Sequence, residues 1–328
     1  MFDIEKYNPF TIKSDEEFNG FALKIFQYQL NYNPIYKKFI DFSGTDKNSV
    51  KQVDEIPFLP IEFFKSARVI TGDENFDLVF KSSGTTNSER STHYVKDINI
   101  YEKSFFSGFE FVYGNASQYC LLALLPNYLE QGESSLVYMV NHFINQSNNP
   151  YSGFYLDDLD KLADVIEKLN KEGEKILLIG VSYALLDLLE LRHFKLKNTI
   201  VMETGGMKGR RKELVKRELH DELSKGFGVE KIHSEYGMTE LLSQAYSKEN
   251  GLFVCPPWMK VLVREPNDPL AVTEMGQGGG LNIIDLANVH SCSFIATQDL
   301  GNVKKDGSFE VLGRFDNSDI RGCNLMLA

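Results

Sequence analysis

From Leu78 onward the chain switches between two hydrophobic periods. Short continuous apolar runs, Leu78-Val79-Phe80, Tyr119 to Leu125, Ile176 to Gly180 and Thr199 to Met202, have the length of strands buried on both faces. Between them, apolar residues return every three or four positions from Asp158 to Leu169 and from Tyr183 to Leu191. A highly charged helix near Arg210 to Leu223 and a strand entering Ile232 continue the series. Such alternation predicts a mostly parallel sheet with helices on both faces. Before about Gly72 the pattern differs: aromatic helical periodicity over Phe18 to Phe26, then the extended Ile56-Pro57-Phe58-Leu59-Pro60. After Trp258 strands recur without helices, at Lys260 to Val263, Leu281 to Ile284 and Phe309 to Leu312. The expected division is a helical collar over 1–72, an α/β core over 73–258, a β subdomain over 259–313 and a tail over 314–328.

A chain of 328 residues can bury a large core. Its net charge of -11 argues against nucleic acid as a partner, because phosphate backbones are held by clustered Lys and Arg. A local set of donors can still bind ATP on an acidic protein. The start, Met1-Phe2-Asp3-Ile4-Glu5-Lys6, lacks the basic and apolar pattern of a secretion signal, and no apolar stretch reaches membrane-span length, so a cytoplasmic location is expected. Cys120, Cys255, Cys292 and Cys323 are far apart and form no Cys-x-x-Cys pair. Reduced thiols and no structural metal are expected.

Four segments carry the candidate chemistry. Lys81-Ser82-Ser83-Gly84-Thr85-Thr86-Asn87-Ser88-Glu89-Arg90-Ser91 directly follows an apolar run. Gly84 permits backbone angles closed to other residues, so that hydroxyls and successive N–H groups can wrap an anion such as phosphate. A Walker-type loop fails on spacing, since Glu89 and Arg90 stand where Gly-Lys would be needed. The second segment is Glu235-Tyr236-Gly237-Met238-Thr239-Glu240, read as lying after a strand and before a short helical segment. There an exposed Tyr face suits a purine, Gly allows close backbone approach, and Glu240 is a hard oxygen ligand for Mg²⁺ on ATP phosphates. Thr297-Gln298-Asp299-Leu300-Gly301 reads as a strand end whose carboxylate accepts ribose hydroxyls, or else as a type I turn anchored by Asp299. Gly313-Arg314-Phe315-Asp316-Asn317-Ser318-Asp319-Ile320-Arg321-Gly322 reads alone as a charged loop after a strand.

In this order the four segments resemble the core of the adenylate-forming superfamily of acyl- and aryl-CoA ligases, over roughly Leu78 to Gly322. Glu203-Thr204-Gly205-Gly206-Met207 is similar to that family's Gly-Gly turn, and Gly276 to Leu281 to its Gly-rich turn into a strand. The resemblance implies an α/β adenylate-forming large-domain fold with parallel sheets flanked by helices and a C-terminal β subdomain; because the sequence stops at Ala328, no full C-terminal lid domain is expected. It implies phosphate contacts from Ser82, Ser83, Gly84, Thr85, Thr86 and Thr239, and adenine contacts from Gly205, Gly206, Tyr236 and Gly237. Mg²⁺ binding by Glu240, ribose binding by Asp299 and a ribose or hinge role for Arg314 follow in the same way, with ATP and Mg²⁺ as cofactors.

The departures narrow the family. Adenylate-forming ligases continue past the Gly-Arg-x-Asp hinge for about a hundred residues as a lid, the size of a small domain, which carries an assisting Lys. This sequence stops at Ala328, so the lid lysine is expected to be absent; Lys208, Arg210 and Arg211 are candidate substitutes, or else a solvated basic helix start. Asn87 and Glu89-Arg90 replace the usual Gly and Pro-Lys, and Asn127-Tyr128 stands where a Phe-His pair is expected. Arg321-Gly322-Cys323-Asn324 aligns with the Arg-Gly-x-Asn segment of phenylacetate-type CoA ligases, with Cys in the variable place. A shortened chain of this kind, with that cysteine, is similar to the LuxE-type acyl-protein synthetases. Those enzymes activate a fatty acid as acyl-AMP, take the acyl group on their own cysteine and deliver it to an acyl reductase partner. Cys323 is thus the expected acceptor, and a cationic Arg321 or Arg314 would favour its thiolate. The alternatives are a phenylacetate-like ligase acting on CoA, and a non-catalytic nucleotide- or acyl-binding subunit. Residues around Phe105 to Tyr113 and Tyr128 to Phe143 are the expected wall of the acyl pocket.

Overall fold

The computed structural model describes residues 3–83, 89–126, 132–205, 215–265, 273 and 278–315. By internal contacts the chain divides into two units. One comprises Met1–Ser104, Thr239–Ser243 and Val254–Ala328, the other Phe105–Met238 and Gln244–Phe253. Residues of the collar and of the C-terminal strands therefore share a unit, and a five-residue piece of the chain's middle is lent to them.

In this first unit the helix Asp15–Tyr32 begins at Ser14, whose hydroxyl accepts from Glu17 N at 3.2 Å, with three acidic residues in its first turn. Both features favour a helix N-terminus. Asn33 ends that helix and caps the next, Pro34–Ser43, by accepting from Ile35 N and Tyr36 N; Gly44, at φ +72°, stops it. Asn33 is buried, and its amide donates to Thr71 Oγ1 at 3.1 Å and to Ser291 O at 2.9 Å. Gln29 Nε2 donates to the carbonyls of Asn288 and Val289. The collar thus grips the turn Leu286 to Ser293, while Phe26, Tyr36 and Phe58 pack around Phe294.

Four strands, Met259–Arg264, Gly279–Asp285, Phe294–Val303 and Phe309–Arg314, form an antiparallel meander in this unit. Of the extended run Ile56 to Pro60, only Leu59–Pro60 pairs, parallel to Phe294–Val303. A separate hairpin joins Leu78–Lys81 to Thr92–Val95.

The second unit carries the parallel sheet. Its strands follow the order Leu252–Val254, Ala245–Ser247, His233–Tyr236, Thr199–Thr204, Ile176–Val181, Cys120–Leu124 and Gly153–Phe154, parallel from His233–Tyr236 onward. Every residue of Ile176–Val181 and Cys120–Leu124 is buried, as continuous apolar runs require. The helix Leu159–Glu172 starts at Asp158, whose carboxylate accepts from Lys161 N, and ends at the left-handed Gly173. The charged helix runs over Lys216–Phe227, four residues past the expected end at Leu223. Leu219, Leu223 and Phe227 continue one buried face, and Gly228 at φ +66° supplies the stop. No helix among the described residues is long and apolar enough to cross a membrane.

Candidate active site

The first unit holds the phosphate, metal and ribose candidates. In its hairpin Phe80 lies opposite His93 and Lys81 opposite Thr92. The connecting loop is closed at its base: Ser82 N donates to Ser91 O at 3.0 Å, and Ser91 N donates to the Ser82 hydroxyl at 2.9 Å. Arg90 Nε–H also donates to the Ser82 carbonyl. Ser82 and Ser83 therefore stand at the mouth of the loop, and Arg90, one of the departures from the family pattern, helps to close it. Gly84, Thr85, Thr86 and Asn87 lie outside the described residues.

Side chains alternate across a strand, so Ser91, His93 and Val95 share a face, and all three are buried. That face meets the turn containing Thr239 and Glu240. His93 Nδ1 is 2.8 Å from Thr239 O, and its Nε2 is 3.1 Å from Asn288 Oδ1. Asn288 is itself oriented, its amide donating to Glu240 O at 2.8 Å and to Cys292 O at 3.0 Å. The Ser91 hydroxyl lies against the Glu240 carboxyl and favours its ionised form. Further along the turn, Asp285 accepts from Leu242 N at 2.8 Å, Ser243 N at 2.9 Å and the Ser243 hydroxyl at 2.6 Å. Sequence reading found Thr239 and Glu240 but not His93, Asn288, Ser91 or Asp285, because none belongs to a recognisable motif. The expected short helix after Tyr236 is absent: Thr239 and Glu240 sit in a turn, which Asp285 holds through its amides.

Burial raises the Glu240 carboxyl above its usual range, opposed by the Ser91 hydrogen bond, the Glu240 backbone N–H and the charges of Arg314 and Lys65. Burial likewise brings the His93 ring down to about 4, against its bonds to Thr239 and Asn288. The ring is thus neutral at neutral pH with one N–H. Thr239 O and Asn288 Oδ1 both only accept, so the neutral ring can hydrogen-bond to one of them; the shorter contact assigns the hydrogen to Nδ1, donating to Thr239, and leaves Nε2 beside Asn288 Oδ1 without a hydrogen bond.

Asp299 was expected at a strand end. It lies instead inside the ten-residue strand Phe294–Val303, directly opposite Arg314, just before a register shift at Leu300/Gly301. Arg314 Nε donates to Asp299 Oδ1 at 3.0 Å. The carboxylate is 7% exposed and the guanidinium 76%, so an exposed cation pairs with a buried acid. The strand Phe309–Arg314 carries Arg314 itself, rather than releasing it into a loop.

The second unit holds the adenine candidates. Thr199–Thr204 and His233–Tyr236 run side by side with Thr204 opposite Glu235. Gly205 follows at φ +64°, a left-handed conformation that other residues adopt at a cost. Gly237 has no room for a side chain: a Cβ there would stand 2.5 Å from Glu235 Oε1 and 3.3 Å from Gln244 Cγ. Tyr236 was expected exposed, but it is buried, its ring 5.7 Å from Phe253.

Beneath these residues lie two buried carboxyls of opposite character. Glu203 sits 3.0 Å from Lys216 Nζ and 3.3 Å from His220 Nε2. Burial pushes its pKa up, but hydrogen bonds from His220, Ser234 and Lys216 and the lysine charge outweigh it and hold the group below its usual value. Glu235 accepts from the Thr204 hydroxyl at 2.5 Å, and burial pushes it to about 7, with the Glu203 charge adding to the rise. Glu203 and Glu235 entered the sequence reading only as letters within motifs. Gly206, Lys208, Arg210 and Arg211 lie outside the described residues. On the expected acyl wall, Phe105 and Phe109 pack on Phe143 at 5.4 and 5.1 Å, while the Tyr128 end is outside the description.

Among the described residues no three His, Cys, Asp or Glu converge as a metal cage. A single oriented carboxyl with a neighbouring threonine fits a different case, a Mg²⁺ that arrives on a triphosphate and keeps phosphate and water as most of its ligands. Of the cysteines, burial pushes Cys120 up to about 11 and Cys255 and Cys292 up to about 12, which suits structural thiols. Cys323 lies outside the described residues.

A family model described as acyl-protein synthetase, LuxE, matches residues 4–328. Comparison with curated proteins gives no match. Among solved structures, ATP-bound MatB from Rhodopseudomonas palustris is 18% identical with a TM-score of 0.54, over 72% of this chain and 47% of its own. The present chain thus spans about half the length of MatB. A 2-hydroxyisobutyryl-CoA ligase in an open conformation with 2-HIB-AMP and CoA aligns at 12% identity and a TM-score of 0.69, over 96% of this chain and 77% of that one. The same ligase in its postadenylation state gives 14%, 0.68, 97% and 74%. At these identities the likeness is one of fold, that of the adenylate-forming large domain.

Proposed function

The chain belongs to the acyl-protein synthetase family, LuxE, and on that premise we propose that it activates a fatty acid with Mg·ATP and takes the acyl group onto Cys323. The carboxylate oxygen attacks the α-phosphorus, the bond to the bridging oxygen breaks, and pyrophosphate leaves, giving acyl-AMP. The Cys323 thiolate then attacks the acyl carbonyl and AMP departs, leaving a thioester for delivery to an acyl reductase partner. The observation that carries this reading is the docking of Thr239 and Glu240 on the strand that leaves the Ser82–Ser91 loop, which presents a buried carboxyl beside hydroxyls and amides suited to a metal-bound triphosphate.

In this reading Ser82, Ser83, Gly84, Thr85, Thr86 and Thr239 hold phosphate oxygens, and Glu240 holds Mg²⁺, which neutralises the charge that builds as pyrophosphate leaves. Gly205, Gly206, Tyr236 and Gly237 receive the adenine. Asp299 accepts the ribose hydroxyls, and Arg314, already paired to it, steadies the carboxylate and swings at the hinge. The high pKa values of Cys120, Cys255 and Cys292 support Cys323 as the acceptor, since the thiolate is the nucleophile.

Incubation with labelled fatty acid and Mg·ATP, without CoA, tests the reading. Hydroxylamine-sensitive label on the protein is expected, and its loss in Cys323→Ser. Label that survives the substitution removes Cys323 from the reaction, and thioester formed only with CoA turns the protein into a CoA ligase.

A further inference from the structure

We propose that His93 is a positioning residue that locks Thr239 and Glu240 against the strand leaving the phosphate loop. The proposal deepens the adenylation reading and rests on it for the roles of those two residues. Ser91, just before the strand Thr92–Val95, and His93 within it share a face and meet two successive residues of the turn: the Ser91 hydroxyl lies against the Glu240 carboxyl, and His93 donates to the Thr239 carbonyl at 2.8 Å. Asn288, which lies beside the ring at Nε2, donates to the Glu240 carbonyl at 2.8 Å. The ring is 1% exposed, and Phe64 packs edge-on to it at 5.7 Å, so it has no freedom to act on substrate itself. Its route to the chemistry is the backbone of the turn. Beyond Glu240 the turn is held separately, through Asp285 to Leu242 and Ser243. Loss of the His93 ring removes the hydrogen bond at Thr239, and so frees the end that carries the two site residues.

The test compares His93→Asn, whose amide nitrogen replaces Nδ1 as donor to Thr239, with His93→Leu, which has no donor. Carboxylate-dependent ATP–pyrophosphate exchange is expected to fall in His93→Leu by about a hundredfold in kcat, the scale of an ångström-sized misplacement. The KM for the carboxylic acid should stay unchanged, and the Mg²⁺ concentration for half-maximal rate should rise. His93→Asn should recover most of the rate. Amide hydrogen exchange over residues 238–244 should quicken in His93→Leu and return to the wild-type rate in His93→Asn. Equal protection in all three proteins overturns the proposal, as does a His93→Asn protein as impaired as His93→Leu. A wild-type protein with no ATP–pyrophosphate exchange instead overturns the adenylation reading, and protection of 238–244 then decides the role of His93 by itself.

Discussion

Glu240 in the first unit and Glu235 in the second are five residues apart in sequence, both buried, and both raised in pKa by burial. Their surroundings differ. Glu240 faces a hydroxyl, its own backbone N–H and two cationic side chains, Arg314 and Lys65, while its peptide neighbours are fixed by His93 and Asn288. Glu235 has a threonine hydroxyl and, next to it, the ionised Glu203 that claims Lys216 and His220. The partners of Glu240 favour its ionised form against burial. Glu235 is pushed to about 7 by burial and by its like-charged neighbour. Buried acids in one motif can therefore serve chemistry or packing, and their partners decide which.

The largest effect that would break this contrast is on catalysis. Glu240→Gln should lower carboxylate-dependent ATP–pyrophosphate exchange by about a hundred- to a thousandfold, the range for loss of one transition-state stabilising group. Glu235→Gln should change it far less, and equal losses would erase the distinction. Next in size, Asp285→Ala should destabilise the protein by about 3 kcal/mol in urea unfolding, because the amides of Leu242, Ser243 and Ala287 and the Ser243 hydroxyl lose a buried acceptor.

A pH series sharpens the second half of the comparison. Between its ordinary value and about 7, Glu235 binds more proton folded than unfolded, so its contribution to stability falls as pH rises through that window. Glu235→Gln removes the slope. The variant should match wild type below pH 4.5, the ordinary value, and exceed it by up to about 3 kcal/mol at about pH 8.5, because each pH unit crossed inside the window costs the wild type about 1.4 kcal/mol. A constant difference across the series would mean that the residue never titrates in that window. The smallest effect belongs to Gly205→Ala, expected to cost about 1 kcal/mol through its left-handed backbone alone, since nothing lies near the added methyl.

Much of the second unit was legible in advance. Cys120–Leu124 and Ile176–Val181 stand where continuous apolar runs put them, since a strand covered on both faces has no polar position to blur its limits. The charged helix was read four residues short, because a single buried phenylalanine beyond two leucines is a weak periodic signal beside so many charges. Asp299 was taken for a strand end because its polar neighbours look like a turn, whereas the strand continues through them and buries the acid opposite Arg314. Motif order singled out Glu240, Asp299 and Tyr236 as candidates, yet left their burial and partners unread.

By itself the sequence determined the alternation that makes the α/β layers and the motifs proposed to meet a nucleotide, both of which depend on residues close together in the chain. Tertiary structure alone decided that His93 would hold Thr239, 146 residues away, and that Asn288 would hold Glu240, 48 residues away. It also decided that Thr204 would sit across from Glu235, with the charge of Glu203 near enough to help raise its pKa. Hydrogen-bond partners and local dielectric depend on which strands fold against which turns, and that register is set by packing of the whole core rather than by any local run of residues.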